Sequence, residues 1–539
     1  MSQASSSNLQ PPFILAVDLG TSGCKTALVS LDGQVAAWAF AAVPLRILPG
    51  NGAEQAPADW WQAFLDTARQ VLTAAEPRSG QVAAICCSCQ GEGTIPVDRD
   101  GRELANAILW LDMRGRDAIR QRVRGKPNIA GYGAAKLARW LRFTGGAPSL
   151  SGKDPAAHML FIQETWPEIF GRTHKFLNVL DYLNLRLTGR MVSTFDSVLT
   201  SWVTDNRDVD RIHYHPGLLR QLGIDRSLFP DLVPCTEVIG TLRPDVAETL
   251  GLAATTPVVA GAVDNTAAAV GSGQVADFAA HLYIGNSSWI GAHVPFKKTQ
   301  LLTEVASLPC ALPGRYLMVA LQSTAGASLA FLKDQVIYHK DELLKEAQAP
   351  DVYKILDRIA EGVPAGSRGL LFTPWLFGER TPVSDPTLRG GLFNLSLEHN
   401  RSDIVRAVLE GVALNTRWML APSERFLGRK IEELTIIGGG GCSSTWCQIF
   451  ADALGIRIRQ PQEPMQANAV GAAWIAAAGL GLAGFQESAA QVRVRATFLP
   501  DPARHLIYDE LFGRFRELHR RLSPFYRRIN NALAQGGRP

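Results

Sequence analysis

The feature that most constrains this chain is a pattern that occurs twice. Near the start, an apolar run over residues 13–19 ends in Asp18-Leu19-Gly20-Thr21-Ser22-Gly23, and a second run follows at 25–31. Midway, residues 281–284 end in Gly285-Asn286-Ser287-Ser288 and lead into another apolar stretch at 289–294. Two strands joined by a Gly/Thr/Ser turn form a hairpin signal, and in the first copy Asp32-Gly33 makes a tight turn into a third strand at 34–42. A chain of 539 residues is too long for one hydrophobic core. Two halves that each open with strand, polar turn and strand predict a duplicated α/β fold with a cleft between the halves.

The rest of the chain fits that frame. Residues 59–75 read as an amphipathic helix with Asp59 as its N-cap. Residues 82–89 and 94–97 read as strands, and 118–189 as mostly helical, with a Gly/Pro/Ser-rich loop at 144–155. A short strand at 256–260 leads into Gly261-Ala262-Val263-Asp264-Asn265 and a helix of small residues. Helices are predicted over 401–421 and 443–454, and a last one over 504–522 that Pro524 stops. Residues 467–485 have the length of a membrane span, but Ala and Gly dominate them. A buried helix that breaks from Gly479 is the expectation, and no membrane association follows. Residues 1–12 are Ser-rich, without a basic or apolar region, and read as a disordered leader rather than a signal peptide.

A net charge of +4 is far weaker than a nucleic-acid binder carries, and no basic stripe interleaves with aromatics. Cys86 and Cys89 form a C-x-x-C without a second pair at zinc-site spacing, so they read as thiols filling a buried strand. Dispersed free cysteines fit a reducing cytoplasm.

The turns carry the chemistry. A run of N–H groups at residues 20–23 makes an anion nest, to which Thr21 and Ser22 add hydroxyls and Lys25 a positive charge. Asp18 beside that nest would repel a phosphate unless Mg²⁺ lay between them. The spacing is not that of a P-loop, and a plain hairpin with a capping Asp fits as well. The Gly438–Gly441 run between strand and helix lets a flat ligand approach the backbone, or is simply a tight turn. Asp264, after a buried strand, is either a helix cap or a carboxylate aimed into the crevice where α/β ligands bind.

Together, A-V-D-L-G-T-S-G (16–23), Q-G-E-G-T (90–94), W-L-D-M-R (110–114), G-A-V-D-N-T-A-A-A-V-G (261–271), G-E-R-T-P (378–382) and I-G-G-G-G (437–441) resemble the FGGY carbohydrate kinases of the actin–hexokinase superfamily, over residues 13 to about 485. The pattern is most similar to the xylulokinase branch.

The resemblance implies two actin/hexokinase-like (ribonuclease H-like) α/β domains with a cleft between them. The first, sugar-binding, would span 13–275 and the second, nucleotide-binding, 276–490, with a helical extension at 491–539. It implies ATP and Mg²⁺ as cofactors and a small sugar as substrate, most simply a ketopentose such as D-xylulose. Another ketose or polyol, such as ribulose, glycerol or erythritol, or a non-catalytic sugar or nucleotide sensor on the same fold, are alternatives. By the same resemblance Asp264 is the catalytic base and Asn265 a substrate ligand. Gln90, Gly91, Glu92, Trp110 and Asp112 contact the sugar. Asp18 belongs to the Mg²⁺–phosphate site, and Thr21, Ser22 and Lys25 to the first phosphate turn. Gly285, Asn286 and Ser287 form the second phosphate turn, and Gly439, Gly440, Gly441 and Ser443 the adenosine wall. Gly378 to Pro382 matches a motif whose role the sequence leaves open, with a structural Glu379–Arg380 ion pair as one reading. Members of the family are often homodimers, although no heptad or apolar stripe here shows one. The chain departs from the xylulokinase pattern at Gly91-Glu92, where Met-His is usual, and at Asn286, where Thr is usual. Glu92 accepts hydrogen bonds from hydroxyls where an imidazole would read a different pattern, and Gly91 leaves more room.

Overall fold

The computed structural model describes residues 10–77, 79–337 and 352–534, so most of the predicted leader lies outside the described residues. Strands β1 (Phe13–Gly20), β2 (Gly23–Ser30) and β3 (Val35–Ala42) form an antiparallel meander, as the turn residues dictate. β4 (Val82–Cys89) lies parallel to β1. β5 (Val238–Thr241) forms an edge beside β6 (Pro257–Val263), which is parallel to β4. The order across this first sheet is β5-β6-β4-β1-β2-β3.

The second sheet repeats the plan. β7 (Ala280–Ile284) and β8 (Ser288–Val294) form the hairpin, β9 (Thr299–Gln300) and β10 (Val305–Pro309) extend one edge, and β11 (Tyr316–Gln322) pairs with β8. β12 (Glu433–Ile437) and β13 (Arg457–Pro461) run parallel to β7, and β14 (Val494–Phe498) closes the other edge. The central run β3-β2-β1-β4-β6 is matched by β11-β8-β7-β12-β13 in order and direction. The echo between the two polar turns is therefore a duplication of topology. β14 belongs to the second sheet, so the segment beyond residue 490 opens with a strand of that sheet before it becomes helical.

Helix α1 (Pro57–Ala75) lays Trp60, Phe64, Ala68 and Val71 against the first sheet. It starts at Pro57, with Ala56 as N-cap in place of the predicted Asp59. Proline fits the first helical position, where its missing N–H is not needed. Asp59 sits in the first turn, where the helix dipole favours it. Helices α2 (Asp264–Gly271), α3 (Arg401–Leu427), α4 (Ser444–Leu454), α5 (Ala467–Gly479) and α6 (Pro502–Ala534) complete the frame.

Two of these pass through prolines: α3 runs beyond its predicted end at 421 through Pro422, and α6 passes through Pro524, which was expected to stop it. An interior proline costs roughly 3 kcal/mol in a lost hydrogen bond and a clash. Around Pro422 in α3 the buried Met419, Leu420, Phe426 and Leu427 outweigh it. Beyond Pro524 in α6, Arg527 pairs with Asp385 at 3.0 Å and Asn530 donates to the Thr387 carbonyl at 2.6 Å.

α5 ends at Gly479, as its glycines predict, and packs between the two sheets against α2. A Cβ on Gly271 would lie 1.8 Å from the Ala467 carbonyl oxygen, and one on Gly471 would lie 1.9 Å from that of Ala267. The two helices cross with their backbones in contact, and only glycine allows it. Among the described residues no helix is long and apolar enough to cross a membrane.

Candidate active site

The base candidate is placed by a local irregularity. β6 is bulged between Val259 and Ala262 where it pairs with β4. Gly261 takes φ 77° there, and a Cβ would come within 2.0 Å of the Cys87 carbonyl oxygen. A bulge bends a strand and re-aims the residues beyond it. The strand here runs on into Asp264, the first residue of α2, whose Oδ1 accepts the Asn265 N–H at 2.7 Å. Burial, and then the nearby charge of Asp18, push the Asp264 carboxyl up to about 7, with Glu92 and Asp196 adding to the rise. A carboxylate poised near neutrality is suited to taking a proton. The Oδ1 of Asn265 is buried without a hydrogen-bond partner, so it can accept a hydroxyl from a ligand.

Asp18 stands at the end of β1, facing the same space. Lys25 Nζ lies 3.6 Å from its Oδ2, and Asn468 of α5 donates to its Oδ1 at 3.2 Å. Lys25 also donates to the Met465 carbonyl at 2.9 Å, reaching across to the second half. Thr21 donates to Gln90 Oε1 at 2.6 Å and accepts from Trp110 Nε1 at 3.0 Å, while Ser22 is exposed. A hard oxygen donor beside a turn of N–H groups matches what Mg²⁺ takes together with phosphate oxygens, so Asp18 fits that ion.

In the second turn Asn286 is exposed at the tip. The carbonyls of Gly285 and Asn286 accept N–H groups from residues 325–327 at 2.8 to 3.2 Å, which seats the helix Gly326–Phe331 on the turn. Ser287 stands partly exposed beside Asn286. In the glycine run, only Gly439 has open space where a side chain would be. A Cβ on Gly440 would meet Ile284 at 2.3 Å, and one on Gly441 would meet the Ile436 carbonyl at 2.9 Å, so packing requires those glycines. Ser443 is the N-cap of α4: it accepts the Trp446 N–H at 3.0 Å and donates to Asp357 at 2.7 Å. Open approach to the backbone is therefore at Gly439, with Ser443 shaping the turn behind it.

The sugar-contact candidates divide. Gln90 and Trp110 are braced in one network through Thr21 and Gln55, and Trp60 donates to Gln55 at 3.0 Å. Asp112 does not face the cleft. It has no exposure, and its oxygens accept the Ala53 N–H at 2.8 Å, the Arg114 N–H at 2.8 Å and Arg114 Nε at 2.9 Å. An arginine two residues on, together with two backbone donors, takes up the carboxylate; Asp112 orders the loop instead of contacting a ligand. Gly91 opens onto free space. Glu92 beside it holds φ 62°. Burial raises its carboxyl, and the charges of Arg380 and Lys153 oppose that rise.

Lys153 and Arg380 come from opposite halves of the chain, and sequence reasoning does not link either to Glu92. Lys153 lies in the 144–155 loop, with its Nζ 5.0 Å from the Phe377 ring centroid. Burial and Arg380 lower it to about 8. The predicted Glu379–Arg380 ion pair is not the arrangement found. Glu379 is buried and accepts the Ser323 and Arg380 backbone N–H groups at 2.9 and 2.8 Å and the Asn415 amide at 2.6 Å. Those donors satisfy it, and the charge of Arg380 also acts on Glu92 and Lys153.

Comparison with known proteins agrees with this frame. Residues 13–271 match the model of the FGGY family of carbohydrate kinases, N-terminal domain, and residues 284–480 match that of its C-terminal domain. The chain is 30% identical over 526 residues to the xylulose kinase of Escherichia coli (strain K12), which covers 95% of this chain and 99% of that protein. It is 25% identical over 462 residues to the gluconokinase of Bacillus subtilis (strain 168), covering 85% of this chain and 86% of that one. The crystal structure of xylulose kinase from Rhodospirillum rubrum superposes with a TM-score of 0.78 at 26% identity, over 95% of this chain and 99% of that one. With both domain models matched and the strand order of the first sheet repeated in the second, the chain belongs to the FGGY family of carbohydrate kinases.

Proposed function

We propose that this carbohydrate kinase transfers the γ-phosphoryl group of ATP to a terminal hydroxyl of a ketopentose, D-xylulose. The observation that carries the reading is Asp264, raised to about 7 beside the unpartnered Oδ1 of Asn265. Its support on the substrate side is the similarity to xylulose kinases over nearly the whole chain.

In this mechanism Asn265 accepts one sugar hydroxyl and orients the acceptor. Asp264 takes the proton of the attacking hydroxyl as its oxygen bonds to the γ-phosphorus. The bond from that phosphorus to the bridging oxygen breaks in line, and ADP leaves. Backbone N–H groups of the two polar turns offset the charge that spreads over the transferring group. Asp18 would hold Mg²⁺, which when bound neutralises phosphate charge. Lys25 and Asn468 keep that carboxylate oriented. Closure of the cleft would exclude water, which would otherwise hydrolyse ATP. The cysteines of the described residues are all free, which suits the reducing cytoplasm we assign to the enzyme.

Gly91 and Glu92 favour one second reading, a different ketose or a polyol. The open space at Gly91 admits a larger or differently hydroxylated molecule, and Glu92 selects hydroxyl donors. Substrate-dependent ADP release across D-xylulose, ribulose, gluconate, glycerol and erythritol distinguishes the two. The highest kcat/KM is expected for D-xylulose. A polyol or another sugar in first place supports the second reading, and no release above background contradicts both.

A further inference from the structure

Asp196 lies outside every motif that carries the family resemblance. It is 5% exposed, in the loop after the strand Val192–Thr194. Its Oδ1 receives the Thr194 hydroxyl at 2.5 Å and the Cys235 thiol at 3.3 Å. Its Oδ2 receives the Val263 N–H at 2.9 Å and the Thr266 hydroxyl at 2.5 Å. Val263 immediately precedes Asp264 and Asn265, and Thr266 immediately follows them. One carboxylate oxygen thus grips both ends of the two-residue turn whose side chains serve the ligand. After the bulge the ladder resumes with Ala262 opposite Ser88 and Val263 opposite Cys89, and Asp196 adds an anchor beyond the strand's end, at Thr266, that the sheet does not.

The residue type suits the task. A carboxylate offers about four lone-pair sites on two oxygens, and four donors are aimed at them here. An amide could accept at only one of its two heads. We propose that Asp196 is a positioning residue for phosphoryl transfer, fixing the direction of Asp264 through Val263 and Thr266. It acts through those residues and not on the sugar or ATP. A purely structural tie would behave differently. It would lower thermal stability and substrate affinity together, whereas misdirecting a base lowers turnover at unchanged affinity. A displacement of about 1 Å at a reacting group costs roughly a hundredfold in rate.

The inference rests on the kinase reading, so the wild-type chain is assayed first; if it turns over no sugar, that reading fails before any variant is compared. With turnover in hand, Asp196→Asn, Asp196→Ala and Thr266→Val are compared by steady-state ADP release and by calorimetric sugar binding. The amide keeps one acceptor, so kcat is expected to fall about tenfold in Asp196→Asn and about a hundredfold in Asp196→Ala, with sugar affinity within about threefold of wild type. Thr266→Val, which retains Asp196 and serves if the others do not fold, should lose about tenfold in kcat at the same affinity. Wild-type kcat in folded Asp196→Asn or in Thr266→Val overturns the assignment, as does a parallel loss of kcat and affinity.

Discussion

Asn468 donates a hydrogen bond to Asp18 at 3.2 Å, joining the helix that packs between the sheets to the end of the first strand. These residues lie 450 positions apart in sequence, so the carboxylate assigned to the phosphate site is oriented by the second half of the molecule. Asn468→Ala should raise the KM for Mg-ATP about fivefold, the value of one hydrogen bond to a charged acceptor in a partly open site. The KM for the sugar should change little. Initial rates with each substrate varied in turn provide the check.

Gly471 and Gly271 let α5 and α2 touch, and α2 begins with Asp264. In Gly471→Ala the new methyl would be driven into the Ala267 carbonyl, 1.9 Å away. The helices must separate, at a cost of about 1–3 kcal/mol for overpacking. Thermal denaturation should show a fall in Tm of several degrees. Because the displaced helix carries the base, kcat should fall too.

Asp112→Asn separates the two roles assigned to that residue. In the structure Asp112 holds Arg114 and the Ala53 backbone, with no exposure to the cleft. Removing the charge should destabilise the fold by roughly 2–3 kcal/mol, since Arg114 retains only Glu54 as an ionic partner. The sugar KM should stay within about twofold. A large rise in KM with unchanged stability would restore Asp112 to the sugar pocket.

The pH dependence comes from the direction of the Asp264 shift. Its carboxyl is raised to about 7, by burial first and then by Asp18. The ionised form accepts the proton, so activity is low below 7 and rises with pH. Between pH 5 and 6, kcat/KM should rise about tenfold, then level off above 7. A profile flat down to pH 5 would mean that the base titrates elsewhere.

Much of this architecture was legible in the sequence for definite reasons. Gly20-Thr21-Ser22-Gly23 and Asp32-Gly33 are turn chemistry, and turns set hairpins locally. The repeat at Gly285 to Ser288 announced the second sheet because the same local rule applies again. What sequence could not show depends on distant partners. The chain runs helical through Pro422 and Pro524 because burial and the Arg527–Asp385 pair outweigh a local penalty. Asp112 looked like a sugar ligand from its place in a motif, yet Arg114 and the Ala53 backbone close it off. The charges of Lys153, Arg380 and Glu92 act on one another only because the two halves face each other. Asp196 is a lone acid in a loop, and its meaning comes entirely from Val263 and Thr266, more than sixty residues away.

The central claim is that Asp264 takes the proton of the attacking hydroxyl, and Asp264→Asn tests it most directly. The amide preserves size and can still accept the Asn265 N–H. Sugar and ATP affinities, measured by calorimetry, should remain within a few-fold of wild type. Sugar-dependent ADP release should fall by about 10²–10⁴-fold, the range a general base contributes. Turnover at the wild-type rate in the folded variant would contradict the account.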